Sequence, residues 1–184
     1  VFLDRDGVIN RALICEGLPY PPISLDELEI LPGVSESLSL LKENGFLLIV
    51  VTNQPDVGRG IQKKQTVEEM HAFLLNQLPL DSIYVCWHGQ DGECDCRKPL
   101  PGLLYQAEND WQIDLKKSFI IGDRWRDINT GFAVGCKTVF IDYQYNESLK
   151  YQPDYIAESI IDASEQIIQQ SKLSVSLTSL LGNN

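Results

Sequence analysis

Residues 46–52 read Phe-Leu-Leu-Ile-Val-Val-Thr, an almost unbroken run of apolar and β-branched side chains. The run lacks the alternation of polar and apolar positions that marks a strand with one face in water. Continuous apolar runs are typical of strands in parallel sheets, because helices cover such sheets on both faces. The run therefore predicts a buried strand in an α/β fold.

Strand-like and helix-like segments alternate on both sides of this run. The helix predicted at residues 33–44 ends before Gly45, which suits a left-handed helix cap, and residues 66–69 (Thr-Val-Glu-Glu) supply a capping box for another helix. Alternating strands and helices predict a parallel sheet with helices on both faces. The other predicted strands are residues 1–4, 82–87, 118–123 and 137–141; the other predicted helices are 66–78, 101–111, 126–134 and 159–170.

Composition excludes two classes of partner. A net charge of −11 argues against non-specific nucleic-acid binding, which depends on Lys and Arg contacts to phosphates. No apolar run approaches the ~20 residues that a membrane helix needs. The first residue is Val, so we expect further residues to precede it, and no signal-peptide pattern is visible. We expect the protein to be cytoplasmic and monomeric.

Two carboxylates, Asp4 and Asp6, follow the first predicted strand, where residues 1–7 read Val-Phe-Leu-Asp-Arg-Asp-Gly. Gly7 allows a sharp turn after them, and the spacing of two places both carboxylates on one side of a strand. An aspartate can attack a phosphate ester and form an aspartyl-phosphate, while a second one exchanges the proton. The alternative is a solvated turn, since an isolated Asp-x-Asp-Gly is common.

Polar residues also follow the apolar run. Thr52, Asn53 and Gln54 could hold phosphoryl oxygens through a hydroxyl and backbone N–H groups, and Arg59 with Gly60 adds a cation on a loop. The alternatives are a polar strand exit and a solvated surface Arg.

A third set of carboxylates follows the fourth predicted strand. Residues 120–124 read Ile-Ile-Gly-Asp-Arg, and Asp127 comes one helical turn after Asp123. Carboxylates combined with a substrate phosphate and water suit Mg²⁺. The alternative is a helix start with favourable acids, but together with Asp4 and Asp6 we prefer a magnesium site.

Three thiols and an imidazole lie within eleven positions, at Cys86, His88, Cys94 and Cys96. This set suits tetrahedral Zn²⁺, and four protein ligands would make the site structural rather than catalytic. The alternative, free Cys in a core, fits poorly with the polar Gly-Gln-Asp-Gly-Glu connection at residues 89–93.

Two cations, Arg97 and Lys98, follow the last predicted zinc ligand directly. Zinc would hold the loop that aims them: Lys98 at the carboxylates and the phosphoryl group, and Arg97 at a distal part of the substrate.

Together these motifs resemble the haloacid-dehalogenase (HAD) phosphatase superfamily along most of the chain. The resemblance rests on residues 2–10 (Phe-Leu-Asp-Arg-Asp-Gly-Val-Ile-Asn), 52–54 (Thr-Asn-Gln), 94–99 (Cys-Asp-Cys-Arg-Lys-Pro) and 122–127 (Gly-Asp-Arg-Trp-Arg-Asp). It is strongest to the D-glycero-D-manno-heptose 1,7-bisphosphate phosphatase group, with the histidinol phosphatases as near relatives.

The resemblance implies a fold and a division of the chain. The fold is a Rossmann-like three-layer α/β/α core without a large cap domain. Residues 1–170 would form the phosphatase domain, with the zinc loop at 86–96, and residues 171–184 a C-terminal tail.

The resemblance also implies a catalytic magnesium and a structural zinc. Magnesium would be bound by Asp4, the Asp6 backbone carbonyl and Asp123, with Asp127 acting through metal-bound water.

In the implied reaction, Asp4 forms an aspartyl-phosphate and Asp6 serves as acid and base. Thr52 and Lys98 stabilise the phosphoryl group. The residues expected to contact the substrate are Asn53, Gln54, Arg59, Arg97 and Arg124.

The expected substrate is a small phosphorylated sugar, heptose 1,7-bisphosphate, which would lose its 7-phosphate in the synthesis of nucleotide-activated heptose for lipopolysaccharide. The alternatives are histidinol phosphate or another small sugar phosphate; a zinc-stabilised binding module without turnover is disfavoured. The loop at 11–32 and residues 55–58 (Pro-Asp-Val-Gly) depart from the usual pattern of the group, and both bear on the substrate. Residues 59–60 (Arg-Gly) and 99–102 (Pro-Leu-Pro-Gly) favour heptose.

Overall fold

The computed structural model describes residues 1–89 and 92–181, with side chains described up to residue 173. Two residues of the predicted zinc loop, Gln90 and Asp91, therefore lie outside the described part, as do most side chains of the predicted tail. Within the described ranges, none of the helices combines the length and the apolar character that crossing a bilayer requires.

Six parallel strands form the central sheet, in the spatial order β5-β4-β1-β6-β7-β8. This confirms the predicted parallel α/β fold. The strands are β1 Phe2–Leu3, β4 Ile49–Asn53, β5 Ser82–Cys86, β6 Phe119–Gly122, β7 Lys137–Ile141 and β8 Tyr155–Ala157; β2 Leu13–Cys15 and β3 Leu18–Tyr20 form a separate antiparallel hairpin.

Helices cover both faces of the sheet, so the three-layer prediction is also confirmed. Side chains alternate along each strand: Phe2 packs into one core cluster and Leu3 into the other. The Leu3 cluster includes side chains of α1, α3 and α6, while the Phe2 cluster includes those of α4. The helices are α1 Val34–Glu43, α2 Pro55–Gly58, α3 Lys64–Gln77, α4 Gly102–Trp111, α5 Trp125–Val134 and α6 Ile160–Leu181.

The strand predicted at residues 46–52 is shorter than expected and begins at Ile49. Two residues before it use their backbone N–H groups outside the sheet. Phe46 donates to the carbonyl of Leu41 at the end of α1, and Leu48 donates to the Asp81 carboxylate. Residues 49–51 are fully buried, as predicted.

Other details, among them the unpredicted short helix α2, also differ from the sequence prediction. The helix α3 begins at Lys64 and its N-cap Lys63 makes no side-chain cap hydrogen bond, so the capping box predicted at Thr66 is wrong. Lys64 and Gln65 favour helix, so the helix begins two residues before Thr66. The helix α6 continues beyond Gln170 to Leu181. Neither β8 nor the β2–β3 hairpin was predicted.

The strand β1 lies at the point where the chain reverses direction across the sheet. The chain runs from β1 to β4 and β5 on one side, and then crosses to β6, β7 and β8 on the other. Ligands of open α/β sheets bind outside the carboxyl ends of the strands at such a reversal. A ligand site is therefore expected at the residues that follow β1 and β6.

Candidate active site

Asp4 and Asp123 follow neighbouring parallel strands, because β1 pairs with β6. The turn after β1 passes so close to Asp123 that a Cβ on Gly7 would lie 1.9 Å from its Oδ2, and Gly7 has a φ of +92°. Any other residue at position 7 would clash and would strain the backbone. Gly7 therefore allows the turn after β1 to lie directly against the carboxylate that follows β6.

Three buried carboxylates converge at this edge: Asp4, Asp123 and Asp127 each offer an oxygen within 4.8 Å of the others. Asp127 reaches the group from the first turn of α5, and this approach requires Gly122, where a Cβ would lie 2.1 Å from that of Asp127. Burial raises the pKa of Asp4 to about 6, with a further contribution from Asp127. Burial and the charges of Asp4 and Asp127 raise the pKa of Asp123 well above its ordinary value.

Lys98 is the buried cation of this carboxylate cluster. Its Nζ lies 2.8 Å from Asp4 Oδ1 and 2.6 Å from Asp127 Oδ1. Burial alone would lower the pKa of Lys98, but the charges of Asp127 and Asp4 raise it. One lysine balances only one of three carboxylates, so the cluster needs further positive charge.

The carboxylate cluster fits a magnesium ion. Asp123 is only 1% exposed, and among the described residues its oxygens accept no hydrogen bond of good geometry, although the Tyr145 hydroxyl lies close enough to lower its pKa in part. Buried carboxylates without a donor are costly unless they are neutralised or bind a metal. Oxygen donors from one or two carboxylates, completed by phosphate and water, are what Mg²⁺ uses in phosphoryl-transfer sites.

Asp6 points its carboxylate away from this cluster. Its oxygens accept hydrogen bonds from the Arg5 guanidinium (2.9 and 3.0 Å), from Asn10 Nδ2 (3.0 Å) and from Gln54 Nε2 (3.0 Å). Its side chain is therefore not grouped with the metal-binding carboxylates, which leaves the backbone carbonyl as its predicted route to magnesium.

Arg5, although fully buried, is supported from α3. Its Nη1 lies 3.0 Å from Nε2 of His71. Burial and the charge of Arg5 lower the pKa of His71 to about 3, so its imidazole is neutral and can accept this hydrogen bond. Sequence reasoning did not find this support, because His71 lies in the middle of a helix without a motif.

Residues 52–54 divide into two structural roles. Gln54 Nε2 donates to both Thr52 Oγ1 (2.9 Å) and Asp6 Oδ2. Asn53 pairs with the backbone of Lys98 twice, donating from Nδ2 to its carbonyl and accepting from its N–H, both at 3.0 Å. The end of β4 therefore orients Asp6 and fixes the position of Lys98.

The four predicted zinc ligands come together. The Sγ atoms of Cys86 and Cys94 are 3.9 Å apart, and His88 Nδ1 lies 3.6 Å from Cys86 Sγ and 3.2 Å from Cys96 Sγ. A tetrahedral zinc site with Zn–S bonds of about 2.3 Å places its ligands roughly 3.8 Å apart. Burial, followed by the Cys86 thiol, raises the pKa of Cys96. This cluster can bind zinc, whose charge offsets that cost of ionisation.

Arg97, predicted to contact the substrate, has described hydrogen bonds to the zinc loop. Its guanidinium donates to the backbone carbonyls of Gly89 and Gly92 in the zinc loop. It is absent from the described lining of the cavity next to the carboxylates. Its predicted contact with the substrate stays a prediction, and the contact that the structure gives it lies within the loop.

A cavity of about 520 Å³ opens in front of Asp4 and Lys98. Its size suits a small ligand. Of the predicted substrate residues, Asn53, Arg59 and Arg124 line it, whereas Gln54 lies behind it in contact with Thr52. The described lining is Asp4, Asp6, Leu18, Pro19, Tyr20, Pro21, Asn53, Pro55, Asp56, Arg59, Ile61, Lys98, Arg124, Arg126 and Glu147.

Several lining residues were not found from the sequence. The β2–β3 hairpin, which had been expected as a loop, supplies one wall, and Arg126 and Glu147 contribute charges to another. The sequence could have indicated Arg126 as a lining residue, since it lies two residues beyond Arg124 at the start of α5. Glu147 lies in an irregular segment, where no spacing rule indicates which side chain turns inward.

Comparisons with known proteins agree with this site. A family model of HAD-hydrolase-like proteins matches residues 95–163. The D-glycero-beta-D-manno-heptose-1,7-bisphosphate 7-phosphatase of Pasteurella multocida (strain Pm70) is 37% identical, covering 91% of this chain and 95% of its own. The enzyme of the same name from Escherichia coli (strain K12) is 34% identical, covering 94% and 95%.

A solved structure extends the comparison. The D,D-heptose 1,7-bisphosphate phosphatase from B. bronchiseptica, complexed with magnesium and phosphate, superposes with a TM-score of 0.78 at 27% identity, covering 92% of this chain and 98% of that one. The carboxylate cluster, the Cys/His cluster and these full-length similarities lead to one conclusion: the chain is a phosphatase that belongs to the heptose-1,7-bisphosphate phosphatase family of HAD-like hydrolases.

Proposed function

We propose that the protein removes the 7-phosphate from D-glycero-β-D-manno-heptose 1,7-bisphosphate, in the synthesis of nucleotide-activated heptose. The observation that carries this proposal is the position of Asp4. It lines a cavity that is also lined by cationic side chains, and it contacts the buried ammonium of Lys98. Relatives that match the chain along nearly their whole length carry this activity in their names.

In the proposed reaction, a carboxylate oxygen of Asp4 attacks phosphorus and the bond to the sugar oxygen breaks. Asp6 donates a proton to that oxygen, so the sugar leaves as an alcohol and an aspartyl-phosphate remains. Asp6 then takes a proton from the water that attacks phosphorus, which releases phosphate and restores Asp4. Both residues line the cavity.

Lys98 and Thr52 are proposed to stabilise the phosphoryl group. The Lys98 ammonium is already next to Asp4, so it can accompany the negative charge that moves onto the phosphoryl oxygens. Thr52 is buried behind the cavity and is held by Gln54. Its backbone and hydroxyl are therefore fixed before the substrate binds.

Magnesium is proposed to bind through Asp4, the Asp6 backbone carbonyl and Asp123. When bound, it offsets the charge of the carboxylates and of the phosphoryl oxygens. Asp127 accepts the backbone N–H of Arg124 (3.1 Å) and pairs with Lys98. We propose that it acts chiefly by holding Lys98, in addition to the predicted contact with metal-bound water.

We further propose that the enzyme acts as a cytoplasmic monomer on a small sugar phosphate, without nucleic-acid or membrane partners. The net charge of −11 argues against nucleic-acid partners, and the reduced thiols that a zinc site needs favour the cytoplasm.

Phosphate release from heptose 1,7-bisphosphate and from histidinol phosphate tests the function, measured side by side with Mg²⁺ present. We expect the heptose substrate to have the higher kcat/KM by at least tenfold. Equal and feeble rates on both would contradict the substrate assignment.

The matched pair Asp4→Asn and Asp26→Asn tests the mechanism. Asp26 is exposed and does not line the cavity. We expect Asp4→Asn to abolish turnover and the formation of a phosphorylated protein, while Asp26→Asn retains both. Full magnesium-dependent turnover by Asp4→Asn would exclude Asp4 as the nucleophile.

A further inference from the structure

Four cationic side chains line the cavity, and each has an acidic neighbour. Lys98 faces Asp4, and Arg59 pairs with Asp56 at 3.1 Å. Asp4 is the proposed nucleophile, and Asp56 lies on α2 one turn before Arg59. The remaining two, Arg124 and Arg126, share a single acid, Glu147, which comes from the irregular segment between β7 and β8.

Arg124 and Glu147 form a two-point ion pair. The Arg124 Nε and Nη2 groups donate to the two carboxylate oxygens of Glu147. The two side chains are 15% and 17% exposed, so the pair is largely shielded from water but still borders the cavity. A planar guanidinium binds phosphate with the same two-point geometry. Glu147 therefore occupies a position where a phosphate group would fit.

Arg126 is less well satisfied. Its Nη2 lies 3.9 Å from Glu147 Oε1, and its Nε is buried without a hydrogen-bond acceptor among the described residues. Buried donors without an acceptor are uncommon and costly. A phosphate, with three terminal oxygens, can accept from both arginines, whereas one carboxylate leaves Arg126 incompletely paired.

We propose that Arg124 and Arg126 bind the phosphate of the substrate that is not removed, and that Glu147 competes for this subsite in the free enzyme. The inference rests on the proposed function, because it requires a substrate with two phosphates. In the bound state Glu147 turns away and the second phosphate takes its place.

Rotation of one side chain is sufficient for this exchange. The backbone around Glu147 is anchored independently of its carboxylate: Glu147 N–H donates to the carbonyl of Tyr145 (2.7 Å), and Asn146 N–H donates to the carbonyl of Gly17 in the β2–β3 turn (3.2 Å). The segment can therefore stay in place while the carboxylate moves toward solvent.

Charge determines which ligand displaces Glu147. A phosphate monoester carries about −1.5 to −2 at pH 7, whereas the Glu147 carboxylate carries one charge. A sugar hydroxyl, by contrast, is neutral and cannot replace a carboxylate between two guanidinium groups. Glu147 therefore favours bisphosphates over monophosphates, since only the former compensate for breaking the ion pair.

The variant Glu147→Gln tests this competition, because it keeps the shape of the side chain and removes the charge. We expect KM for heptose 1,7-bisphosphate to fall roughly 5- to 30-fold, as for the loss of a charge-assisted, partly shielded contact. We expect kcat to stay constant and KM for heptose 7-phosphate to change less than twofold. A rise in KM for the bisphosphate, equal changes for both substrates, or no change would overturn the proposal.

A second variant and a control complete the test. Arg126→Gln should raise KM for the bisphosphate and leave that for the monophosphate unaffected; equal effects on both would also overturn the subsite. Glu43→Gln, an exposed residue on α1, should change neither. If heptose bisphosphate is not a substrate, the proposed function fails, and the subsite is then tested with fructose 1,6-bisphosphate against fructose 6-phosphate under the same criteria.

Discussion

Asp123 illustrates how a buried acid can cost stability and still be required. It is almost fully buried, and burial with the charges of Asp4 and Asp127 raises its pKa more than the neighbouring Tyr145 hydroxyl lowers it. In magnesium-free buffer, Asp123→Asn should therefore raise the free energy of unfolding by on the order of 1–3 kcal/mol, because it removes an acid that is costly to ionise in this cluster. Urea unfolding measures this change.

The same variant should lose its response to magnesium. Ligands stabilise the state that binds them, so Mg²⁺ should raise the melting temperature of the natural protein but not that of Asp123→Asn. A destabilised variant that still responds to Mg²⁺ would show that Asp123 is a structural acid rather than a metal ligand.

His71 offers a second prediction, through pH. Its pKa is lowered to about 3 by burial and by Arg5, whereas an unfolded histidine titrates near 6.5. As the pH falls below 6.5, His71 becomes protonated in the unfolded chain but stays neutral in the folded protein. The free energy of unfolding therefore falls. Between pH 7 and pH 5, the free energy of unfolding of the natural protein should fall by about 2 kcal/mol more than that of His71→Gln.

Urea unfolding of both proteins at the two pH values measures that difference. A gap that stays constant with pH would mean that His71 takes up its proton in the folded protein as readily as in the unfolded chain.

At this scale, the sequence was informative wherever chemistry restricts the residue type. As predicted, Asp4 lies with Asp123 and Lys98 in one cluster, and the four Cys/His ligands form a second cluster. Arg97 and Glu147 show the limit. A long side chain can turn into its own loop, and an acid in an irregular segment has no periodic neighbours that indicate its direction.

Among the elements, the loop between β5 and α4 links the two metal sites. It contains His88, Cys94 and Cys96, which join Cys86 at the end of β5. Two residues after Cys96 it positions Lys98, whose backbone forms two hydrogen bonds with Asn53 at the end of β4. Zinc is therefore expected to act on catalysis through the position of Lys98. This role is separate from the direct chemistry at Asp4.

The variant Cys96→Ser tests this link. We expect it to lose zinc and to lower kcat roughly 10- to 100-fold, as for residues that position a functional group. Cys15→Ser is the matched control, because Cys15 is exposed and lies outside the cluster. Zinc content and kcat are measured together, and a zinc-free variant with full kcat would separate the loop from catalysis.

Element boundaries were the least predictable part of the fold. The strand β4 starts late because a side chain, Asp81, takes the backbone N–H of Leu48. The β2–β3 hairpin turns at Glu16 and Gly17, both with positive φ, but its strands are only three residues long. Such short strands carry too little periodicity to be recognised.

The division of the chain into a phosphatase domain at 1–170 and a C-terminal tail at 171–184 stays a prediction. The α6 side chains that pack into the core, among them Ile160, Ala163 and Ile167, belong to the predicted phosphatase domain at 1–170. Removal of residues 174–184 should therefore leave kcat/KM on the bisphosphate within twofold of the original value. A large loss of activity in a folded truncated protein would contradict the division into a phosphatase domain at 1–170 and a tail.

The overall architecture was more predictable than its details, because it depends on many residues at once. Five apolar runs separated by helical stretches permit few arrangements other than a parallel sheet covered on both faces. The strand order within that sheet follows from pairings between distant segments, and a single sequence gives no direct signal for these.

The central position of β1 also bears on how the protein is made. Residues 2 and 3 pair with residues 49 and 50 on one side and with residues 120 and 121 on the other. During synthesis, the apolar strand that precedes Asp4 leaves the ribosome long before its second neighbour exists. Until β6 is made, one edge of β1 has no partner strand, and the nascent chain must keep it from pairing with a wrong segment. Activity can appear only late in translation, when β6 has paired with β1.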